Sequence, residues 1–320
     1  MNTTIVTLFF SFFMVTLSVI SLTVPNWLYV WVIMEIMTAL MIFFTIKTKV
    51  SLNFEAVMKF FLHQSMAAIL LLMLFPLLNN SMHSIKVPIM ILCLILYKMG
   101  LPPFHFWALQ IIPSLDWTTL FMFFTVLKIP PLILLASLTQ LEHLWHMVML
   151  ITLTSMLLSL TVAINTSQFR VIMLSSSIAS SQWVLASILF SQMLGYMYLL
   201  TYLLVTTTAL WILLMANQST LSSNYMNTLV LSLTLVILTS ASIPPFCLFF
   251  AKLESIIVFS YTLPLYLNFI FILSSSLATV FYCNLLININ WQQMKQMIIM
   301  PTKLSACILL ALSPLVPMIT

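Results

Sequence analysis

The chain has 320 residues, 63% of them hydrophobic and 5% charged, with a mean hydropathy of +1.20. So few charges cannot cover a water-soluble domain, and apolar runs this long and continuous are not the short alternating segments of a transmembrane β-barrel. A helical span needs roughly 20 apolar residues, so the length accommodates about ten to twelve crossings and leaves no room for an extramembrane catalytic domain.

Pro, Asn, Ser and charged residues divide the sequence into eleven candidate helices. The first, 3–23, follows Met-Asn-Thr-Thr, which has neither the basic n-region of a signal peptide nor an Arg-rich presequence, and is expected to be retained as a span. The second, 26–46, carries Glu35 in the middle of WVIMEIMTAL. The third, 54–78, opens with Glu55, Lys59 and His63 at i, i+4 spacing, read as an ion pair at the polar end of a helix. The fourth, 87–112, holds Lys98 and Pro102-Pro103, and the fifth, 117–138, holds Lys128 and Pro130-Pro131. After 144–164, 169–190 and 194–215 comes 225–260 with Pro244-Pro245 and Lys252, followed by 265–288 and 303–319. The fourth and ninth are too long for one straight span. A Pro pair removes the donors that would continue each helix, so both are expected to break within the bilayer. No soluble-type linker interrupts the series, which gives one all-α, polytopic domain over 1–320. Tryptophans near predicted helix ends, Trp107 among them, read as interfacial anchors.

An odd number of crossings puts the two ends of the chain on opposite sides. The N-terminal side collects Lys47, Lys49, Arg170, Lys295 and Lys303, and the other side Lys86. The positive-inside rule then directs the N-terminus to the matrix or cytoplasm. The net charge of +5 belongs to this loop asymmetry and not to a nucleic-acid patch. Cys93, Cys247, Cys283 and Cys307 form no C-x-x-C pair, so no metal or iron-sulfur site is expected, and two glycines are too few for a nucleotide loop. The 24 methionines read as packing, and their abundance hints at a genetic code in which an extra codon specifies Met.

Glu35, Lys98, Lys128 and Lys252 lie well inside apolar runs. An ionisable residue at helix centre costs roughly 2.5 to 3.5 kcal/mol on insertion scales, so four together demand partners, water or a function. For any one of them a static ion pair or a snorkelling lysine is an equal reading. Jointly they point further: each lysine lies within eight residues of a Pro pair, where freed backbone groups can hold water. Lysine can also load and release a proton as its surroundings change, which arginine cannot. A Glu-Lys pair followed by lysines therefore reads as a proton path. His105, just after the fourth helix's break, is a secondary candidate relay; the alternative is a histidine bonded to a freed carbonyl.

The segments NWLYVWVIMEI around Glu35, FEAVMKFFLHQ around Glu55, KMGLPPFHFW from Lys98, TVLKIPPLILL around Lys128, NTSQFRVIMLSSSIA around Arg170 and SIPPFCLFFAKLE before Lys252 stand in the order of a known family. The chain resembles the NADH-ubiquinone oxidoreductase chain 2 family, the antiporter-like membrane subunits of mitochondrial respiratory complex I, in their shortened animal form. The resemblance implies a non-redox membrane-arm subunit that couples quinone reduction elsewhere in the complex to proton translocation. It makes Glu35 and Lys98 the pair, Lys128 the central lysine and Lys252 the terminal lysine toward the next antiporter-like subunit. It also implies that NADH, FMN, iron-sulfur clusters and ubiquinone are bound by other subunits and no cofactor by this chain. The implied partners are membrane-arm subunits and phospholipids, and the implied location is the mitochondrial inner membrane. Two departures stand out. Where the family often continues His-Met-Gly-Trp after SSIA, this chain has Ser180, Ser181, Gln182 and Trp183, which withdraws a histidine relay at 180. Where the family has Gly-Gly before the last Pro pair, this chain has Ala241-Ser242, expected to stiffen the break. The alternative is a free-standing cation/proton antiporter; a sodium site is expected to want several carboxylates or freed carbonyls, and Glu35 is the one acidic residue deep in a span.

Overall fold

The computed structural model describes residues 2–46, 52–80, 86–138, 144–166, 168–218, 234–244 and 246–293. The predicted helix 303–319, Pro245, Cys307 and the basic residues Lys47, Lys49, Lys295 and Lys303 lie outside them. The chain forms two compact units, 1–189 and 190–320. Among the described residues, seven helical stretches are long and apolar enough to cross a membrane.

The first unit contains α1 (Asn2–Thr23), α2 (Trp27–Ile46), α3 (Leu52–Asn80), α4 (Lys86–Met99), α5 (Phe106–Ile111), α6 (Trp117–Phe124), α7 (Ile129–Leu138), α8 (Trp145–Asn165) and most of α9 (Phe169–Phe190). Hydroxyls inside these helices are satisfied locally, as lipid requires: Ser18, Ser21, Thr152, Ser155 and Ser159 each donate to the carbonyl three residues earlier. Helix α9 is the most polar in composition, with Ser175, Ser177, Ser181, Gln182 and Ser187 all buried, and it is buried on nearly every side. Its polar side chains are tolerated because it faces protein and not lipid. The outer faces of α1 and α3 instead present Phe9, Phe12, Phe61 and Met66.

The break expected in the fourth helix is present, and the fifth span is interrupted as well, each with its own chemistry. Helix α4 stops at Gly100, whose φ of +67° is open to glycine. The Gly100 N–H reaches the Tyr97 carbonyl and the Leu101 N–H reaches the Leu96 carbonyl, the paired bonds of a Schellman stop. In the fifth predicted span, Pro130 and Pro131 begin a helix instead of ending one. They occupy the first turn of α7, where no donor is needed, and the preceding Val126–Lys128 tightens into a 3-10 turn. Arg170, at the start of α9, donates to the Pro113 carbonyl at 2.6 Å and lies over the Trp117 ring, fixing the connection between α5 and α6.

The second unit contains α10 (Gln192–Gln218), α11 (helical over 234–240), α12 (Cys247–Thr262) and α13 (Leu265–Gln293). Helix α12 packs against both α10 and α13. Phe259 anchors it on Phe190 and Phe271, with ring centroids 4.7 and 5.1 Å away, and Asn268 Nδ2 caps the Phe259 carbonyl at 3.0 Å. The predicted break falls between α11 and α12, with 241–244 and 246 outside any helix.

Candidate functional site

Lys98 is the second-last residue of α4 and Glu35 lies midway along α2. Lys98 Nζ donates to Glu35 Oε1 at 2.5 Å. The side chains are 3% and 30% exposed respectively, so the ammonium is enclosed while the carboxylate stands at the rim of the unit.

The backbone around Lys98 needs a second partner. Its carbonyl would meet the N–H of residue 102 in a continuing helix, and Pro102 has none. Buried Gln64 of α3 fills that place, donating Nε2 to the Lys98 carbonyl at 3.0 Å. A carbonyl only accepts, so this bond fixes the amide orientation and turns Gln64 Oε1 the other way. Trp107 Nε1 likewise donates to the Tyr97 carbonyl at 3.0 Å. Trp107 is therefore a buried clamp on the end of α4 and not an interfacial anchor: the break folds its ring back under the helix, where it stacks on His63.

Gln64, Thr38, Lys98 and Lys128 line a cavity of about 20 Å³, room for the centre of a water molecule. Its other walls include Met37, Phe60, Phe123 and the Pro130-Pro131 pair. Lys128, buried at the end of the 3-10 turn, donates to the Ser177 carbonyl of α9 at 2.9 Å. The first unit thus brings three of the expected residues together: an ion pair, a water-sized polar space, then a second lysine.

Other expectations resolve differently. Lys252, half-buried on α12, belongs to the second unit and reaches back to the break, where Nζ donates to Ser242 Oγ at 2.5 Å. His105 is buried and stacked on Phe106 but does not line the cavity. Its Nδ1 has no hydrogen-bond partner among the described residues. Glu55 and Lys59 form the expected ion pair at 2.6 Å, exposed on the side of α3. His63, one turn on, leaves that pair and hydrogen-bonds the Tyr97 hydroxyl. Sequence reasoning passed over Gln64 and Ser177, and took Ser242 as a stiffener of the break without linking it to Lys252. Gln64 carried a usable signal, an amide in the interior of an apolar span; Ser177 contributes only a carbonyl, which no side-chain pattern announces.

Broken helices carrying buried lysines, in an all-helical membrane fold, define the class of antiporter-like membrane subunits. A chain of respiratory complex I from Thermus thermophilus has this fold: it superimposes with a TM-score of 0.71 at 16% identity, covering 89% of this chain and 72% of that one. No family model matches the chain. NADH-ubiquinone oxidoreductase chain 2 of Oryzorictes hova is 30% identical over 78% of this chain and 75% of its own length, and that of Lumbricus terrestris is 28% identical over 82% and 80%. The chain belongs to the NADH-ubiquinone oxidoreductase chain 2 family.

Proposed function

We propose that this chain is a proton-translocating, non-redox membrane-arm subunit of an NADH:ubiquinone oxidoreductase in the mitochondrial inner membrane, with its N-terminal side in the matrix. Its partners on this reading are the other membrane-arm subunits, and the redox cofactors and ubiquinone are bound elsewhere in the complex. Glu35, Lys98, Lys128 and Lys252 carry the protons, with His105 a secondary candidate. The observation that carries the proposal is the Glu35–Lys98 pair opening onto a cavity that Lys128 also lines.

The geometry suggests how one transfer runs. A neighbouring subunit can reach the carboxylate of Glu35 because it stands at the rim. Protonating or displacing that carboxylate removes the attraction that holds the Lys98 ammonium, whose side chain is then free to turn into the cavity. Lys98 gives one proton to water there and that water gives one to a neutral Lys128; a protonated Glu35 then hands its proton to the neutral Lys98 amine, which restores the carboxylate and the pair.

The test uses the assembled complex. Glu35→Gln keeps an oxygen that can accept from Lys98, and Lys128→Met leaves the Ser177 carbonyl in its ordinary helical bond, so both variants should assemble. Coupled NADH oxidation and proton pumping should each fall at least several-fold. Normal pumping in both variants would remove these residues from the path.

A further inference from the structure

Ser242 is the one non-glycine residue with positive φ among the described residues, at +52°. A side chain in this left-handed region is strained relative to glycine, because its Cβ crowds the following carbonyl oxygen. Serine lacks even the modest advantage that Asn and Asp have there, so the position works against its own backbone. The residue is buried, 5% exposed, at the break between α11 and α12, and its hydroxyl both accepts and donates. It accepts from Lys252 Nζ at 2.5 Å and donates to the Ala241 carbonyl at 2.7 Å. The two bonds come from one oxygen at the point where the chain turns, ten residues before the lysine it meets.

We infer that Ser242 is a positioning residue for proton transfer at Lys252: its hydroxyl holds the ammonium against the helix break and stays bonded to the amine after the proton has left. A hydroxyl suits this because it both accepts and donates. Facing an ammonium, it accepts from Nζ and gives its hydrogen to the Ala241 carbonyl. Facing a neutral amine, it turns that same hydrogen to the Nζ lone pair and releases the carbonyl. Ser242 keeps one hydrogen throughout, and the transferred proton leaves Lys252 on another side. A glycine would give an easier turn but no such contact, and an alanine would keep the strain without the benefit. Lys252 would then hold its place in both protonation states and not swing away when uncharged.

The inference rests on Lys252 being a proton carrier, and the experiment separates the two ideas. In the assembled complex, Ser242→Gly relieves the backbone and removes the hydroxyl, so it should assemble at least as well as the parent. Ser242→Ala removes the hydroxyl alone. Both should slow coupled proton pumping by a similar factor, about tenfold for the loss of one hydrogen bond to a charged group. In a Lys252→Met background, itself impaired, Ser242→Gly should add no further loss. If Ser242→Gly pumps normally while Lys252→Met is impaired, Ser242 has no part in the transfer. If Ser242→Gly causes the same loss in both backgrounds, its effect is on the fold and the inference fails. Normal pumping by Lys252→Met overturns the wider reading of this lysine and the inference with it.

Discussion

Gln64 and Gly100 are single residues whose local chemistry sets where Lys98 lies. Gln64 answers a carbonyl that Pro102 leaves without a donor, and it does so inside the cavity that separates Lys98 from Lys128. Gln64→Leu should leave that carbonyl unpaired, costing about 1–3 kcal/mol, and should also remove the neutral polar atom between the lysines. We expect slower pumping from the assembled complex together with a lower melting temperature; a drop in melting temperature with normal pumping would restrict Gln64 to a structural role. Gly100 is constrained twice. Its φ is +67°, and a Cβ would come within 3.1 Å of Ala108 Cβ and 3.2 Å of Trp107 Cζ2. Gly100→Ala should therefore destabilise the subunit by about 1–2 kcal/mol or more, visible as reduced assembly on native gels.

Among the helices, the fifth span shows how a Pro pair aims a charge. Without donors at 130 and 131 the chain winds as a 3-10 turn over Val126–Lys128, and Lys128 leaves that turn toward the Ser177 carbonyl. Replacing both prolines with Ala supplies N–H groups for the Val126 and Leu127 carbonyls and favours a continuous α-helix. Going from about 120° to about 100° per residue over the two steps from Val126 to Lys128 rotates the lysine by about 40° relative to the start of the turn. The variant should be at least as stable in isolation yet pump poorly. Wild-type pumping would mean that the 3-10 turn is incidental to where Lys128 points.

For the whole molecule, sidedness follows from counting crossings within the first unit. Three stretches expected to cross separate Lys86 from Thr166: the broken α4–α5, the α6–α7 span and α8. If each of them crosses, the two positions are expected on opposite faces, and on the proposed orientation Arg170, four residues from Thr166, belongs to the matrix side. In mitoplasts, a membrane-impermeant thiol reagent should label Lys86→Cys from outside and leave Thr166→Cys unlabelled. The native Cys93, Cys247 and Cys283 lie within helices, and all four native cysteines, Cys307 included, are replaced by Ser beforehand so that they give no background. The opposite pattern would reverse the orientation, and labelling of both would show that one of the three spans does not cross.

What could be read from the sequence was what a bilayer forces on any chain. Apolar runs of spanning length had to be helices because lipid offers no other partner for backbone groups, and the Pro pairs of the two overlong helices had to interrupt them because proline has no N–H. Glu35, Lys98, Lys128 and Lys252 stood out for the same reason: charge is rare where water is absent. Tertiary structure alone decided which of these meet. Glu35 and Lys98 are 63 residues apart, and only the packing of α2, α3 and α4 brings them into contact. Trp107 looked like an interfacial residue until the Gly100 turn folded it under α4. Ser242 was legible as a departure from glycine, but its meaning depended on a backbone angle and on a lysine one and a half helical turns into the next helix. Periodicity and composition record what each segment must avoid in lipid; pairings across segments depend on the direction each helix leaves its break, and no local pattern encodes that direction.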